Sequence, residues 1–193
     1  MWSDTGLMAF IDDHKKILLE TARQSILHGL NHHKPLPVGA GDLPEELRRH
    51  KASFVTLYNK KNLRGCIGML EATRPLIIDV AENAYAAAFR DPRFSPITRE
   101  ELLDLTISIS ILSKSTPIDF TSEEDLLQKI RPGIDGLILS ENCHRGTFLP
   151  SVWKSLPTPR AFLDQLKIKA GLPPHYWSDK ITIERYTSEE FSE

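Results

Sequence analysis

The chain has 193 residues, of which 40% are hydrophobic and 26% charged, and 24 Lys and Arg against 26 Asp and Glu give a net charge of −2. This composition excludes a disordered or collagen-like chain and predicts a single domain over residues 1–193, divided at most into two lobes, with a core that needs no disulfide. The near-neutral charge offers no broad basic surface for nucleic acid, and no apolar run is long enough to predict a membrane span.

The first half of the chain predicts two helices around a hairpin. Helical spacing of apolar residues, a polar turn between two β-rich runs, and Thr73 as an N-cap with Pro75 in the first turn define these elements. In order they are a helix over 6–30, a loop over 31–44, strands over 53–58 and 63–70, and a helix over 73–89. Three consecutive alanines at 86–88 predict that another backbone approaches the second helix closely.

The second half mixes strands with separate helices. The clearest strand is 105–113, in which every second residue is Leu or Ile and the residues between them are Thr or Ser. The other predicted elements are a helix over 122–130, strands over 133–140 and 146–149, a helix over 158–170 and a strand over 180–186. This order predicts an α+β fold, mainly an antiparallel sheet with flanking helices, built as a larger lobe plus a smaller lobe.

The segment 63–68, Leu-Arg-Gly-Cys-Ile-Gly, is the most unusual stretch of the sequence. In a regular strand Arg64, Cys66 and Gly68 share one face, and the alternate residues, with Met69, form an apolar face toward the core. A guanidinium beside a thiol favours the nucleophilic thiolate, so Cys66 and Arg64 are the candidate catalytic residues. The alternative, a buried cysteine that packs as a small hydrophobe, stays open.

Glycines and polar residues near this segment are candidate ligand-binding residues. Gly65 and Gly68 mark a bulge or a close approach by a ligand or a backbone. Arg93 can bind an anionic substrate, or it can pair with a structural carboxylate in a turn begun by Asp91. Asn83, a poor helix former inside a predicted helix, is expected to bind a ligand or a loop.

The histidines and cysteines do not predict a metal or redox centre. The histidines near the first helix have no carboxylate at ligand spacing, and the chain contains no C-x-x-C. We therefore expect no metal site and no cofactor. The N-terminus lacks the order of a secretory signal, and Cys66 and Cys143 are expected to be free thiols in the cytoplasm.

Segment 63–68 resembles the hallmark hexapeptide of the AMMECR-one domain family, whose prokaryotic members are often called AmmeMemoRadiSam system protein A. The resemblance continues in order through 88–94, 108–112, 133–137 and 146–150, and so covers nearly the whole chain. It implies an α+β fold with a larger and a smaller lobe. Some family members have His where this chain has Asp135, so a mechanism that needs an imidazole there is not implied.

The resemblance implies partners but no reaction. The resemblance implies that, in many prokaryotes, the gene occurs together with genes for a MEMO-like protein and a radical S-adenosylmethionine enzyme. One hypothesis is therefore a thiol-dependent enzyme or modification-system component, with a pocket for an unknown small molecule at the hexapeptide. Another is a non-catalytic adaptor for those two proteins, favoured by the lack of a visible general base. A third, nucleic-acid binding through Arg64, Arg90 and Arg93, is weakened by the near-neutral charge.

Overall fold

The protein, seen as a computed structural model that describes residues 10–39 and 41–193, packs into two compact units. The larger unit contains the described residues up to Leu112 together with Glu189–Glu193, and the smaller unit is Ser113–Ser188. Each unit contains helices and a four-stranded sheet that is built mainly from antiparallel strand pairs. The predicted α+β fold with mainly antiparallel sheet is therefore confirmed.

In chain order the elements are α1 (Asp12–His32), α2 (Glu45–Arg48), β1 (Ser53–Asn59), β2 (Asn62–Gly68), α3 (Leu76–Phe89), β3 (Leu105–Leu112), β4 (Thr116–Pro117), α4 (Glu123–Lys129), β5 (Gly136–Glu141), β6 (His144–Phe148), α5 (Pro159–Lys169), β7 (Thr182–Tyr186) and β8 (Ser188–Ser192). Short 3-10 helices at Glu101–Asp104 and Pro150–Lys154 precede β3 and α5. Residues 6–9 of the predicted first helix lie outside the described residues.

The sheet of the larger unit has the strand order β2-β1-β3-β8, and its core forms where β1 and β3 pack against α1 and α3. The alternation predicted for β3 is confirmed, because its Leu and Ile residues are buried in this core. The shared core residues include Leu18, Ile26, Val55, Leu57, Val80, Ile107, Ile109 and Ile111. The opposite face of β3 carries Thr106, Ser108 and Ser110, which lie opposite the matching face of β1.

Two helix ends differ from their prediction for reasons of packing. Helix α1 continues to His32 instead of ending at residue 30, and Gly29 lies inside it against aromatic rings of α3; a Cβ there would be 2.4 Å from the ring of Phe89. Thr73 is not the N-cap of α3, since Pro75 occupies that position in an extended conformation. The Leu76 amide then donates to the carbonyl of Arg49, which holds the start of α3 beside the end of α2.

The smaller unit has the strand order β4-β7-β5-β6, with α4 and α5 sharing its core. Ser122 caps α4 and Thr158 caps α5 through their side-chain oxygens, at the ends where the sequence predicts these helices to begin. Strand β5 begins at Gly136 rather than at 133, because buried Asp135 accepts hydrogen bonds from the main chain and guanidinium of Arg131 and holds a turn there.

Candidate functional site

Strand β2, which carries the hexapeptide, lies at the edge of its sheet and contains a β-bulge. Gly65 lies opposite Leu57 and Leu63 lies opposite Tyr58, so Arg64 has no partner residue on β1. The predicted apolar face is therefore wrong at both ends: Leu63 is 41% and Met69 38% exposed, and Ile67 alone of the three packs on the core. The extra residue shifts the alternation that a regular strand would have.

The Arg64 guanidinium is held by a carboxylate from outside the hexapeptide. Its Nε lies 2.7 Å from Oε1 of Glu101 and its Nη2 lies 3.1 Å from Oε2, a bidentate ion pair. The hydrogen bond from Arg64 is the main reason why the pKa of Glu101 lies below its ordinary value. The positive charge that was predicted to act on Cys66 is thus compensated by Glu101.

Cys66 is a free, half-buried thiol on the face of the sheet that does not contact the core. It lies opposite Thr56, whose hydroxyl donates a hydrogen bond to Sγ at 3.3 Å. Tyr58 belongs to the same face of β1, and its pKa is raised, chiefly by burial and also by the charges of Glu190 and Cys66. The sulfur therefore has a hydroxyl partner on the face of the sheet that does not contact the core.

The main chain of Cys66 is held from the other side by the Asp91 loop, residues 91–94. Asp91 Oδ2 accepts the Cys66 amide at 2.9 Å, and Arg93 Nη2 lies 3.4 Å from the Cys66 carbonyl oxygen. Arg93 also pairs bidentately with Asp91, at 2.9 Å from Nε to Oδ1 and 2.6 Å from Nη2 to Oδ2. The structure thus brings three of the predicted site residues together at the outer edge of β2.

Asp91 and Arg93 form one ion pair but differ in their exposure to solvent. Asp91 is buried, and its pKa lies far below the ordinary range, first because of the Arg93 hydrogen bond and also because of the Cys66 amide. Arg93 keeps 54% of its side chain exposed. Its pKa is raised, first by the hydrogen bond with Asp91 and also by the charge of Cys66. Arg93 is therefore both paired, as one interpretation of the sequence has it, and accessible from solvent.

Both glycines of the hexapeptide lie where a side chain would collide with protein atoms. A Cβ on Gly65 would be 2.1 Å from the carbonyl oxygen of Ala87, so the alanines of α3 do admit a second backbone, as predicted. A Cβ on Gly68 would be 2.3 Å from the ring of Phe54. Close packing explains why glycine stands at both positions, and their role in ligand binding stays a prediction.

Asn83 belongs to a separate set of hydrogen bonds that joins α3 to β1. Its buried amide nitrogen donates to the Ser53 carbonyl at 3.1 Å and to Asp79 Oδ2 at 2.8 Å. Asp79 in turn accepts the amide of Ser53 at 2.9 Å and pairs with Arg74 at 2.8 Å. The partners of Asn83 are thus strand β1 and its own helix instead of the loop that the sequence offered, and ligand binding by Asn83 stays a prediction.

Sequence reasoning missed Glu101, Thr56 and Asp79 as partners of the candidate residues. Glu101 and Thr56 are 37 and 10 residues from the groups they bind, and no local pattern marks either of them. Asp79 had a usable signal, because it stands four residues before Asn83 within an apolar helix.

The described part of the chain contains neither a candidate metal site nor a candidate membrane-spanning helix. Among residues 10–39 and 41–193, no three His, Cys, Asp or Glu side chains are grouped so that they can bind a metal ion. Within the same ranges, no helix combines the length and the apolar composition needed to cross a membrane.

Comparison with known proteins gives consistent results over both units. A family model described as AMMECR1 matches residues 19–191. A protein of Methanothermobacter thermautotrophicus is 38% identical over 187 residues, which are 94% of this chain and 95% of the relative. Protein MJ0810 of Methanocaldococcus jannaschii is 38% identical over 158 residues, 78% of this chain and 77% of the relative. The crystal structure of an uncharacterized protein, PH0010 from Pyrococcus horikoshii, is similar with a TM-score of 0.88 at 32% identity, covering 95% of this chain and 93% of that chain.

Proposed function

The chain belongs to the AMMECR1 family, as the hexapeptide predicts, and on that premise we propose that Cys66 is the nucleophile of a thiol-dependent group transfer. The observation that carries the proposal is the setting of the sulfur. It is half-buried, accepts a hydrogen bond from Thr56, and belongs to a residue whose amide and carbonyl are held by Asp91 and Arg93. A thiol fixed in this way is positioned for attack on a bound electrophile.

The proposed step needs no oxidant and no second protein nucleophile. The Cys66 thiolate attacks the electrophilic carbon of a substrate R–X, so that the S–C bond forms while the C–X bond breaks. The leaving group X departs with the electron pair of that bond, and the thiol proton is released to water. The Thr56 hydroxyl donates a hydrogen bond to the sulfur and so occupies the place beside the thiol that the sequence predicted for Arg64.

The test is the alkylation rate of Cys66 by iodoacetamide in the native protein, measured by mass spectrometry. Cys143 is exposed and serves as a reference thiol within the same chain. We expect Cys66 to react before the protein unfolds. Thr56→Val should slow its reaction by about twofold to tenfold through loss of one hydrogen bond, whereas Thr106→Val, on the corresponding face of β3, should not. Alkylation of Cys66 that begins only with unfolding would overturn the proposal.

A second function, a non-catalytic adaptor, is favoured by a different observation. The arginines of the hexapeptide and of the Asp91 loop are each paired with a carboxylate, Arg64 with Glu101 and Arg93 with Asp91, and the hydrogen bond to Sγ comes from a hydroxyl. The partners would be a MEMO-like protein or a radical S-adenosylmethionine enzyme, both acting with this chain in the cytoplasm. Cys66→Ser should then keep partner capture by either protein and keep cellular function, and loss of function with capture intact would contradict the adaptor.

The remaining parts of the hypothesis are likewise proposals. We place a pocket for a small molecule at the hexapeptide, with Gly65 and Gly68 close to it. Nucleic-acid binding is the weakest alternative, because the net charge is −2 and both Arg64 and Arg93 are ion-paired. Retention on RNA or DNA at low salt would revive it.

A further inference from the structure

The guanidinium of Arg93 is fixed in position yet open to solvent. Asp91 holds its Nε and Nη2, and the Phe94 ring lies 5.4 Å from its central carbon. Within the described part of the chain, its hydrogen bonds use Nε and Nη2 and leave the N–H groups of Nη1 for a ligand. An arginine held on one edge and open on the other is already oriented to bind a second carboxylate.

The same guanidinium lies within reach of the reacting sulfur. Its Nη2 is 3.4 Å from the Cys66 carbonyl oxygen, and the covalent geometry of one cysteine then places Sγ no more than about 8 Å away. Consider a ligand whose carboxylate lies about 2.8 Å from the Arg93 guanidinium. If the carbon bonded to that carboxylate lies about 3.5 Å from the sulfur, the ligand spans a distance of this size. A small acid can therefore contact both residues at once.

The charge balance favours a singly charged anion. Asp91 already compensates part of the positive charge of Arg93 and would repel a dianion such as a phosphate monoester. Arg64 is compensated by Glu101 in the same way. The guanidinium of Arg90 packs over the Tyr85 ring instead, at 5.0 Å from the ring centre. Of these three arginines, Arg93 is thus the one that contacts Cys66 and remains half exposed.

We infer that Arg93 recognises the substrate of the Cys66 site, and that this substrate is a small electrophile with a carboxylate next to its reactive carbon. The inference rests on the proposed function of Cys66 and names the substrate class for it. The carboxylate would bind the open edge of the guanidinium, and the S–C bond would form at the adjacent carbon as described above.

The experiment compares two alkylating agents that differ in one group, iodoacetate and iodoacetamide. The ratio of their rates at Cys66 is measured by mass spectrometry in the full chain, with Cys143 as the reference thiol. Arg93→Gln removes the proposed anion site. Arg90→Gln is the control, because it makes the same charge change three residues away. The double variant Asp91→Asn/Arg93→Gln avoids an unpaired buried carboxylate and keeps an oxygen that can accept the Cys66 amide.

We expect the iodoacetate preference at Cys66 to fall by about twofold to fivefold in Arg93→Gln and in the double variant, with no change in Arg90→Gln or at Cys143. An unchanged preference, or an equal fall in Arg90→Gln, overturns the inference and leaves the nucleophile in place. No reaction of Cys66 with either agent in the native protein overturns the proposed function itself, and the inference with it.

Discussion

Two buried aspartates of the larger unit accept a main-chain amide and pair with an arginine, yet their surroundings differ. Asp79 accepts the Ser53 amide and hydroxyl, and the Asn83 amide closes the cluster. Asp91 accepts the Cys66 amide, but its arginine is half exposed and its strand carries a thiol. The first cluster uses its polar groups to join α3 to β1, whereas the second has a half-exposed guanidinium beside a half-buried thiol.

The difference separates structural from candidate functional polar residues without reference to any relative. Around Asp79 each strong donor has a buried acceptor, so a substitution there is expected to change stability alone. The Asp91 carboxylate instead positions Arg93 and Cys66, whose guanidinium and thiol are both partly exposed to solvent. Substitutions there should change both stability and the chemistry of Cys66, and the predictions below are ordered by their expected effect on stability.

The largest effect is expected at Asp79. In Asp79→Ala the three hydrogen bonds to Oδ2 are lost, and the buried donors of Ser53 and Asn83 lose their acceptor at about 1–3 kcal/mol each. The free energy of unfolding from urea titration should therefore fall by about 2–5 kcal/mol. The ratio of Cys66 to Cys143 alkylation in native protein should stay as it is, and a changed ratio would show that the two clusters are coupled.

Gly65→Ala should come next. Its Cβ would lie 2.1 Å from the Ala87 carbonyl oxygen, so β2 and α3 must move apart, at a cost of about 1–3 kcal/mol. Gly39→Ala is the matched control, because a Cβ there has open space around it. Equal unfolding free energies for the two variants would contradict the close approach of β2 and α3.

Asp91→Asn should have a smaller effect at neutral pH that disappears in acid. The folded-state pKa of Asp91 lies below its unfolded value of about 3.9, so its contribution is present above about pH 4 and is lost as the pH falls toward the folded pKa. The difference in urea midpoint between wild type and variant should therefore shrink from pH 6 to pH 3. A constant difference would mean that ionisation of Asp91 does not stabilise the fold.

The smallest effect is expected for Glu101→Gln, which releases the charge of Arg64. The pair is partly exposed, so the unfolding free energy should change by less than about 1 kcal/mol. Cys66 alkylation should stay within about twofold, as in the neighbouring control Glu100→Gln. Faster alkylation in Glu101→Gln alone would restore Arg64 as the residue that activates the thiol, as the sequence predicted.

Elements with a strong local pattern could be predicted from the sequence to within a few residues. The alternation in β3 and the caps Ser122 and Thr158 are local signals, and the structure retains them. Strand β8 was missed because its five residues, Ser-Glu-Glu-Phe-Ser, contain one apolar side chain and become a strand by pairing with β3. A contact of that kind joins residues some 80 positions apart and leaves no local trace.

At the candidate site the sequence predicted which residues come together but not how. Asp91, Arg93 and Cys66 do meet, although Arg64 binds Glu101 instead of accompanying the thiol. The cause is the bulge at Arg64, which the regular alternation assumed for the strand leaves out, although the sequence had marked Gly65 as a bulge or a close approach. A strand motif that contains glycine therefore predicts side-chain direction poorly, and the chemistry of its cysteine stays a prediction.

The Asp91 loop has one more consequence, which concerns contacts between molecules. Strand β2 is the outermost strand of its sheet, and unpaired edge strands can recruit strands of other chains and start aggregates. At Cys66 the outward amide and carbonyl are already bound by Asp91 and Arg93, so no intermolecular ladder can begin at that residue. Asp91 and Arg93 thus remove one residue of β2 from the positions at which another strand could pair.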